Sequence, residues 1–597
     1  MIRRLLPVPF VFLLLLSQAS PCRAQGVTRA PRDEEPLAAA LRLARGLESE
    51  PGKEGALLRL VQTHERAGRL EEAVRAAGAL DDGGAKARTL SRLANRFAEA
   101  GKLGRAAELL SETLETARRA DDAGLTAELL REIVGGEVRY NSEEYPPRIE
   151  TREGALARLF QAGRAGAAAA ILTRVREATR GTYFSDLSAA VVLADAARLA
   201  APSDASEAAE LLSESLAAAR REEGARERTA GLCAVSRAHA DLGDKKTAEA
   251  LLDEAFQSAL TVEDFYRDRE LRDVAHVYAA QGLTDKALKA LREAGGEGFE
   301  PAAAALRVAA RSGRPEAFKG SLKRAVEALG TLDGEYNKKS ELLPLIREYG
   351  GRSPELLTEA LGAARALEDE QYRAELLVAV GDRYAETNRK ETALEVWQQA
   401  LQAARAVELE RQDLQPGDSR INDGEKLQLL SALALRLVRA GEYARVPEIA
   451  RDMRNVRARA LSLAEGSPAG PKESDVKIAK VADELTRAGQ KEAALAVLAA
   501  AGDADEKVGE DVHHPAHADA LAAVGAAYAR AGDRGRAAAY FRRALQLADE
   551  DRESGVDEKL AALIAVGARY AEAGMAPDAR ARRSLRRLVR GVESDKD

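Results

Sequence analysis

Apolar residues recur along most of the chain at the three- and four-residue spacing of amphipathic helices, and these helical segments come in pairs. A glycine, or in one unit Asn388, separates the two segments of most pairs. Such a residue ends a helix readily because it tolerates the left-handed backbone conformation. The pattern predicts about 13 helix-turn-helix hairpins. Their turns are centred at Gly68, Gly101, Gly163, Ser203, Gly243, Gly282, Gly313, Gly351, Asn388, Gly441, Gly489, Gly532 and Gly574.

A submotif accompanies these turns: a small residue, then an aromatic residue or leucine, the turn residue, an alanine and a large apolar residue. It is clearest in two units, formed by Gly381, Tyr384, Asn388, Ala393, Trp397 and Ala400, and by Gly525, Tyr528, Gly532, Ala537, Phe541 and Ala544. These residues resemble the tetratricopeptide repeat, whose units have about 34 residues, whereas most steps here approach or exceed 40. The resemblance spans about residues 37–590. It implies stacked hairpins in a right-handed superhelix, with the first helix of each unit lining the concave wall.

Composition favours the same architecture. The 597 residues are too many for one compact core, and aromatic residues make up only 4%, so few residues suit a large sheet. The predicted fold class is therefore all-α, an α-solenoid of about 13 repeats.

The first 24 residues have a different character. Arg3 and Arg4 precede a short apolar run, and the segment ends in polar residues near Cys22, which is typical of a secretory signal peptide. We expect residues 1–24 to be removed, residues 25–36 to be flexible and the protein to be an exported bacterial one, periplasmic or secreted. No later stretch has the ~20 apolar residues of a spanning helix, so we expect no transmembrane segment after cleavage. Loss of three arginines would change the formal charge from −7 to −10, which disfavours nucleic acid as a partner.

Irregular segments divide the repeats. Residues 135–151 and 407–424 are predicted to be inserted loops between repeat stretches at 37–134, 152–406 and 425–590, followed by a tail at 591–597. In the last unit, Arg583 and Arg586 stand where other units have a large apolar residue and alanine. They belong to an arginine-rich run formed by Arg580, Arg582, Arg583, Arg586, Arg587 and Arg590. We expect this helix to cap the array, because a terminal unit has no neighbour. The alternative is an amphipathic helix that tethers the protein to an anionic envelope surface.

Catalytic and metal-binding motifs are incomplete. His64 and Glu65 begin a zinc-protease pattern, but Gly68 occupies the place of the second histidine. His513 and His517 have a spacing that suits a metal on one helix face, although Pro515 would leave His513 outside the helix. We therefore predict no enzyme activity, cofactor or metal. The alternative is a ring-shaped hydrolase or lyase with a metal site at His513 and His517.

The resemblance implies that the concave groove binds a protein or peptide. By analogy with the family, the side chains on its wall would be Ser91, Asn95, Arg237, Arg272, His276, Asp382 and Asp483. Arg272 and His276 are one helical turn apart and are suited to grip a carboxylate together. The sequence thus favours a non-catalytic scaffold for protein partners in the cell envelope.

Overall fold

The chain is helical over most of its length from Pro36 to Ser594. The computed structural model describes residues 35–47, 50–141, 148–180, 185–295, 299–311, 315–329, 332–351, 353–409, 411–415, 418–421, 423–463, 473–501, 514–550 and 555–594. The expected signal peptide at 1–24, the expected flexible segment apart from its last two residues, and His513 lie outside these residues. Within the described part, no helix combines the length and the apolar character needed to cross a bilayer.

The described residues form 28 α-helices. They are α1 (Pro36–Arg45), α2 (Glu50–Arg66), α3 (Leu70–Ala77), α4 (Gly83–Glu99), α5 (Leu103–Ala120), α6 (Ala123–Gly135), α7 (Ala155–Gln161), α8 (Ala165–Thr179), α9 (Asp186–Ala200), α10 (Ala205–Arg221), α11 (Ala225–Asp241), α12 (Lys245–Leu260), α13 (Asp264–Ala280), α14 (Thr284–Ala294), α15 (Phe299–Arg311), α16 (Pro315–Leu329), α17 (Glu335–Tyr349), α18 (Pro354–Arg365), α19 (Glu370–Glu386), α20 (Lys390–Ala406), α21 (Asp423–Ala440), α22 (Val446–Leu463), α23 (Glu473–Arg487), α24 (Lys491–Leu498), α25 (His514–Ala531), α26 (Arg534–Glu550), α27 (Val556–Glu572) and α28 (Ala579–Ser594).

After α1 these helices pair as 13 successive hairpins, from α2 with α3 to α27 with α28. In the third hairpin the first helix is divided into α6 and α7, and both parts pack on α4. Leucine and alanine side chains fill one continuous core that runs from Leu37 to Val592. The prediction of an all-α solenoid with about 13 repeats is confirmed.

The turn residues behave as their chemistry requires. Ten of the thirteen predicted turn residues have a positive φ, including Gly68 at 69° and Asn388 at 60°. Asn388 is one of two residues other than glycine with a positive φ in the described part of the chain. Ser203 and Gly351 do not adopt this conformation, and Gly313 lies outside the described residues.

The two segments predicted to be inserted loops instead contain antiparallel strand pairs. Strand β1 (Glu137–Asn141) pairs with β2 (Arg148–Arg152), and β3 (Arg411–Gln415) pairs with β4 (Asp418–Ile421). In the first segment, Val138, Tyr140 and Ile149 are residue types that favour a strand. This segment also interrupts a first helix, between α6 and α7, rather than joining two units.

The two ends of the array meet. Helix α27 packs against α1 and α2, and α1 also contacts α28. The Arg42 Nη1 atom lies 2.7 Å from Glu593 Oε1. A Cβ atom at Gly567 would lie 3.0 Å from Pro36 Cβ and 3.1 Å from Leu37 Cδ2, so glycine permits this close approach. The expectation that the last unit has no neighbour is therefore wrong: the first helix of the array covers it.

Candidate functional site

The first helices of the hairpins form the inner wall of the curved array. In most neighbouring hairpins the first helices pack on each other, whereas most second helices do not. Helices on the inner side of a curve lie closer together than those on the outer side, so this difference places the first helices inside. Two neighbouring pairs are exceptions, α2 with α4 and α15 with α17, which barely touch.

Ion pairs join successive first helices along much of this wall. They include Glu65 with Arg96, Arg198 with Asp241, Asp382 with Arg436, Asp483 with Arg530, and Asp519 with Arg569. Each of these pairs holds two neighbouring hairpins together by a charge-assisted contact.

Two of the predicted partner-binding residues belong to these pairs. Asp382 accepts hydrogen bonds from Arg436 at 2.6 and 2.7 Å and from Trp397 Nε1 at 3.2 Å. Asp483 accepts one from Arg530 Nε at 2.8 Å, and burial raises the pKa of its carboxyl although Arg530 opposes the shift. Both carboxylates already have cationic partners, so they stabilise the wall.

Ser91 and Asn95 lie inside the wall rather than on its surface, with exposed fractions of 1% and 4%. Asn95 Oδ1 accepts a hydrogen bond of 2.8 Å from the backbone N–H of Ala155, the first residue of α7. Its Nδ2 atom donates to Glu132 Oε1 at 3.4 Å. Their burial places both side chains out of reach of a ligand in the groove, and the hydrogen bonds of Asn95 give that residue a structural role.

Arg237 and His276, by contrast, meet at an open cavity of about 450 Å³ on the inner wall. Four successive first helices line it, from α11 to α17. The lining residues are Arg237, His276, Val277, Ala280, Arg307, Arg311 and Glu348. Arg272 is on the same helix as His276 but does not line the cavity, and it has interactions of its own.

The cavity is electropositive, because three guanidinium groups face one carboxylate. Among the described residues, no carboxylate lies within ion-pair distance of Arg237 or Arg307. Arg311 Nη1 donates to the backbone carbonyl of His276 at 3.4 Å. Glu348 accepts a hydrogen bond of 2.6 Å from the Tyr349 hydroxyl.

His276 contributes an unused polar atom. Its Nε2 atom is buried and has no hydrogen-bond partner in the part of the chain that the structure describes. Burial, and then the nearby Arg307 guanidinium, lower the pKa of this imidazole, so it is mainly neutral at pH 7. A buried polar atom without a partner is costly, and a ligand in the cavity would supply one.

Among the described residues, the other candidate side chains form no assembled site. His517 is 1% exposed and has an interaction within the protein. The described residues contain no group of three or more histidine, cysteine, aspartate or glutamate side chains arranged for a metal. Cys233 is buried, and burial raises the pKa of its thiol to about 12, which disfavours the reactive thiolate.

The C-terminal helix α28 has two distinct faces. Its apolar face, with Leu585, Leu588 and Val589, is buried against α26 and α27. Its six predicted arginines are all exposed: Arg580, Arg582, Arg583, Arg586, Arg587 and Arg590. Arg587 Nε lies 2.7 Å from Asp549. The remaining arginine side chains make α28 a dense cationic surface.

Comparison with known proteins gives limited similarity. No family model matches the chain, and no curated protein matches it. Among solved structures, Ton1535 from Thermococcus onnurineus NA1 is 14% identical, with 63% of this chain and 98% of that chain covered and a TM-score of 0.26. The human IFIT1 dimer with PPP-AAAA is 13% identical over 86% and 95% of the two chains, with a TM-score of 0.21.

A circular tandem repeat protein is 16% identical over 94% of this chain and 97% of its own, with a TM-score of 0.15. At these scores the similarity does not extend to a site. The assignment of the present chain as a helical-repeat solenoid rests on its own hairpins and their packing.

Proposed function

We propose that this protein is an exported, non-catalytic scaffold that binds a protein or peptide partner on its inner wall. One observation carries the proposal: the wall pairs charges at several places, but among the described residues no carboxylate lies within ion-pair distance of Arg237 or Arg307 at the cavity. Solenoid proteins use such walls to hold extended partners. The signal-like residues 1–24 support a role in the cell envelope.

A photo-crosslinking amino acid at Ala280 tests this proposal. Ala280 is exposed and lines the cavity, whereas Ala170 is exposed on α8, a second helix outside the wall. We expect a discrete crosslinked protein from position 280 but not from position 170, identified by mass spectrometry after crosslinking in intact cells. The product should disappear when Arg237 and Arg307 are both changed to glutamine. Equal products from the two positions, or products that persist without both arginines, would contradict the proposal.

The arginine face of α28 supports a second candidate function, a tether to an anionic surface. Because its apolar face is already buried, α28 would bind by charge without insertion, at about 1 kcal/mol per arginine near the surface. We expect the protein to co-sediment with vesicles containing anionic lipid at low salt, and to be released at high salt. Arg583, Arg586 and Arg590 changed together to glutamine should abolish the binding. Equal sedimentation of this variant would exclude the tether.

A further inference from the structure

The cavity forms at an irregularity of the array. Helices α15 and α17 barely touch, whereas α13 and α15 pack on each other, as do α17 and α19. The missing contact leaves space between hairpins, and the side chains of Arg307, Arg311 and Glu348 border that space. At several other places along the wall a carboxylate on one first helix meets an arginine on the next. At the cavity, Arg237 and Arg307 form no such ion pair with any residue that the structure describes.

The net charge of the residues that line the cavity indicates which class of anion it would bind. Three arginines and one glutamate give a formal charge of +2 when His276 is neutral. A phosphate monoester has a charge of about −1.5 to −2 at neutral pH and three acceptor oxygens, whereas a single carboxylate neutralises half of the lining charge. Guanidinium groups match phosphate oxygens because their N–H donors form a planar fork.

The volume of the cavity and the unpartnered atom of His276 also suit a phosphate monoester. The volume of about 450 Å³ exceeds that of a bare phosphate, so it also admits part of the molecule that carries the phosphoryl group. Val277 and Ala280 offer an apolar border for that part. The unpartnered Nε2 of His276 is suited to donate to a phosphoryl oxygen in the tautomer that carries its proton there.

We propose that the cavity between α11, α13, α15 and α17 is a binding site for a phosphate monoester, held by Arg237, Arg307 and Arg311. This inference deepens the proposed function, since it names the chemical group by which a ligand is recognised on the inner wall. The phosphoryl group can be presented by a phosphorylated peptide or by a free phosphorylated small molecule. Both sources share the same chemistry and are separated by the experiment.

Isothermal titration calorimetry on the full purified chain tests the site. The probes are a phosphoserine peptide, the same peptide with serine, glycerol phosphate, and acetate as a carboxylate. We expect the phosphorylated probes to bind and the serine peptide and acetate not to bind. Arg307→Gln should weaken binding at least about tenfold, because hydrogen bonds between charged groups are among the strong ones. Arg292→Gln, on the exposed surface of α14, removes the same charge outside the cavity and should leave binding unchanged.

A second variant changes binding in the opposite direction. Glu348→Gln removes the opposing charge but keeps an oxygen that accepts from Tyr349, so it should tighten phosphate binding up to about fivefold. A gain in affinity cannot come from loss of folding. Absence of binding by any phosphorylated probe, or equal weakening by Arg292→Gln and Arg307→Gln, would overturn the inference.

The two proposals can fail separately. A partner crosslinked at position 280 together with no phosphate binding would leave the scaffold in place and remove the phosphate site. Phosphate binding without a crosslinked protein would support the phosphate site and contradict the protein scaffold. Tighter binding of the phosphopeptide than of glycerol phosphate would assign the phosphoryl group to a peptide, and the opposite order would assign it to a small molecule.

Discussion

Changing Leu43 to aspartate is expected to detach α1 from the junction between the two ends of the array. Leu43 is 1% exposed on a helix that packs against α2, α27 and α28. A carboxylate buried there without a cationic partner is among the changes that cost about 4 kcal/mol or more. Releasing the ten-residue helix Pro36–Arg45 avoids that cost, so we expect α1 to leave its site.

Trypsin provides the measurement, because Arg42 and Arg45 lie on α1. In the native protein their peptide bonds are protected by the helix, and in the variant mass spectrometry should detect rapid cleavage at both. Ala38→Asp is the matched control, since Ala38 is exposed on the same helix. Slow cleavage of Leu43→Asp, equal to that of Ala38→Asp, would show that α1 does not close the array in solution.

Truncation of Phe541 to alanine is expected to destabilise the C-terminal hairpins by about 3–5 kcal/mol. Phe541 on α26 is fully buried and stacks on Tyr570 of α27, with ring centroids 4.0 Å apart and an interplanar angle of 17°. The change therefore removes the stacking contact between hairpins and the packing of Phe541 beside Gly525 within its own hairpin. The cost combines the lost burial with the cavity that remains.

Hydrogen exchange measured by mass spectrometry should localise this effect, because repeat arrays need not unfold as one cooperative unit. We expect faster exchange in α25, α26 and α27 and a lower midpoint of urea denaturation. Phe265→Ala is the control: Phe265 is 85% exposed, and its loss should change the free energy of unfolding by less than about 0.5 kcal/mol. Similar effects of the two substitutions would refute the packing assigned to Phe541.

The hairpins could be predicted from sequence because their determinants are local. Gly68 and Asn388 end first helices through their own backbone preferences, and the submotif sets the close contact between the two helices of a hairpin. Gly381 shows this clearly: a Cβ atom there would lie 2.5 Å from Trp397 Cδ1. Such contacts join residues less than 20 positions apart, and the period makes them visible.

The burial and ion pairing of the wall residues could not be predicted in the same way. Asp382 and Arg436 are 54 positions apart, and Asp483 and Arg530 are 47 apart, so their pairing depends on how neighbouring hairpins are staggered. Asn95 was expected on the surface, yet it binds the N-terminus of α7, which follows an insertion. Burial and pairing are properties of the assembled wall.

Only some of the residues that line the cavity could be predicted to lie on the wall, for a related reason. Arg237 and His276 occupy regular units and could be placed on the wall from the repeat. Arg307, Arg311 and Glu348 belong to units whose pattern is degenerate near Gly313 and Gly351, so no repeat position assigned them to the wall. The weakened pattern itself was the signal, since the looser packing of α15 and α17 occurs there.

The contact between α27 and α2 also restricts how this protein can evolve. An open solenoid can gain or lose a repeat by duplication or deletion, since each hairpin needs only its neighbours. Here the rotations between 13 successive hairpins must together bring α27, in the last hairpin, back into contact with α2, in the first hairpin. A fourteenth hairpin would leave that junction misaligned, so the gene is expected to tolerate change within its repeats far better than change in their number.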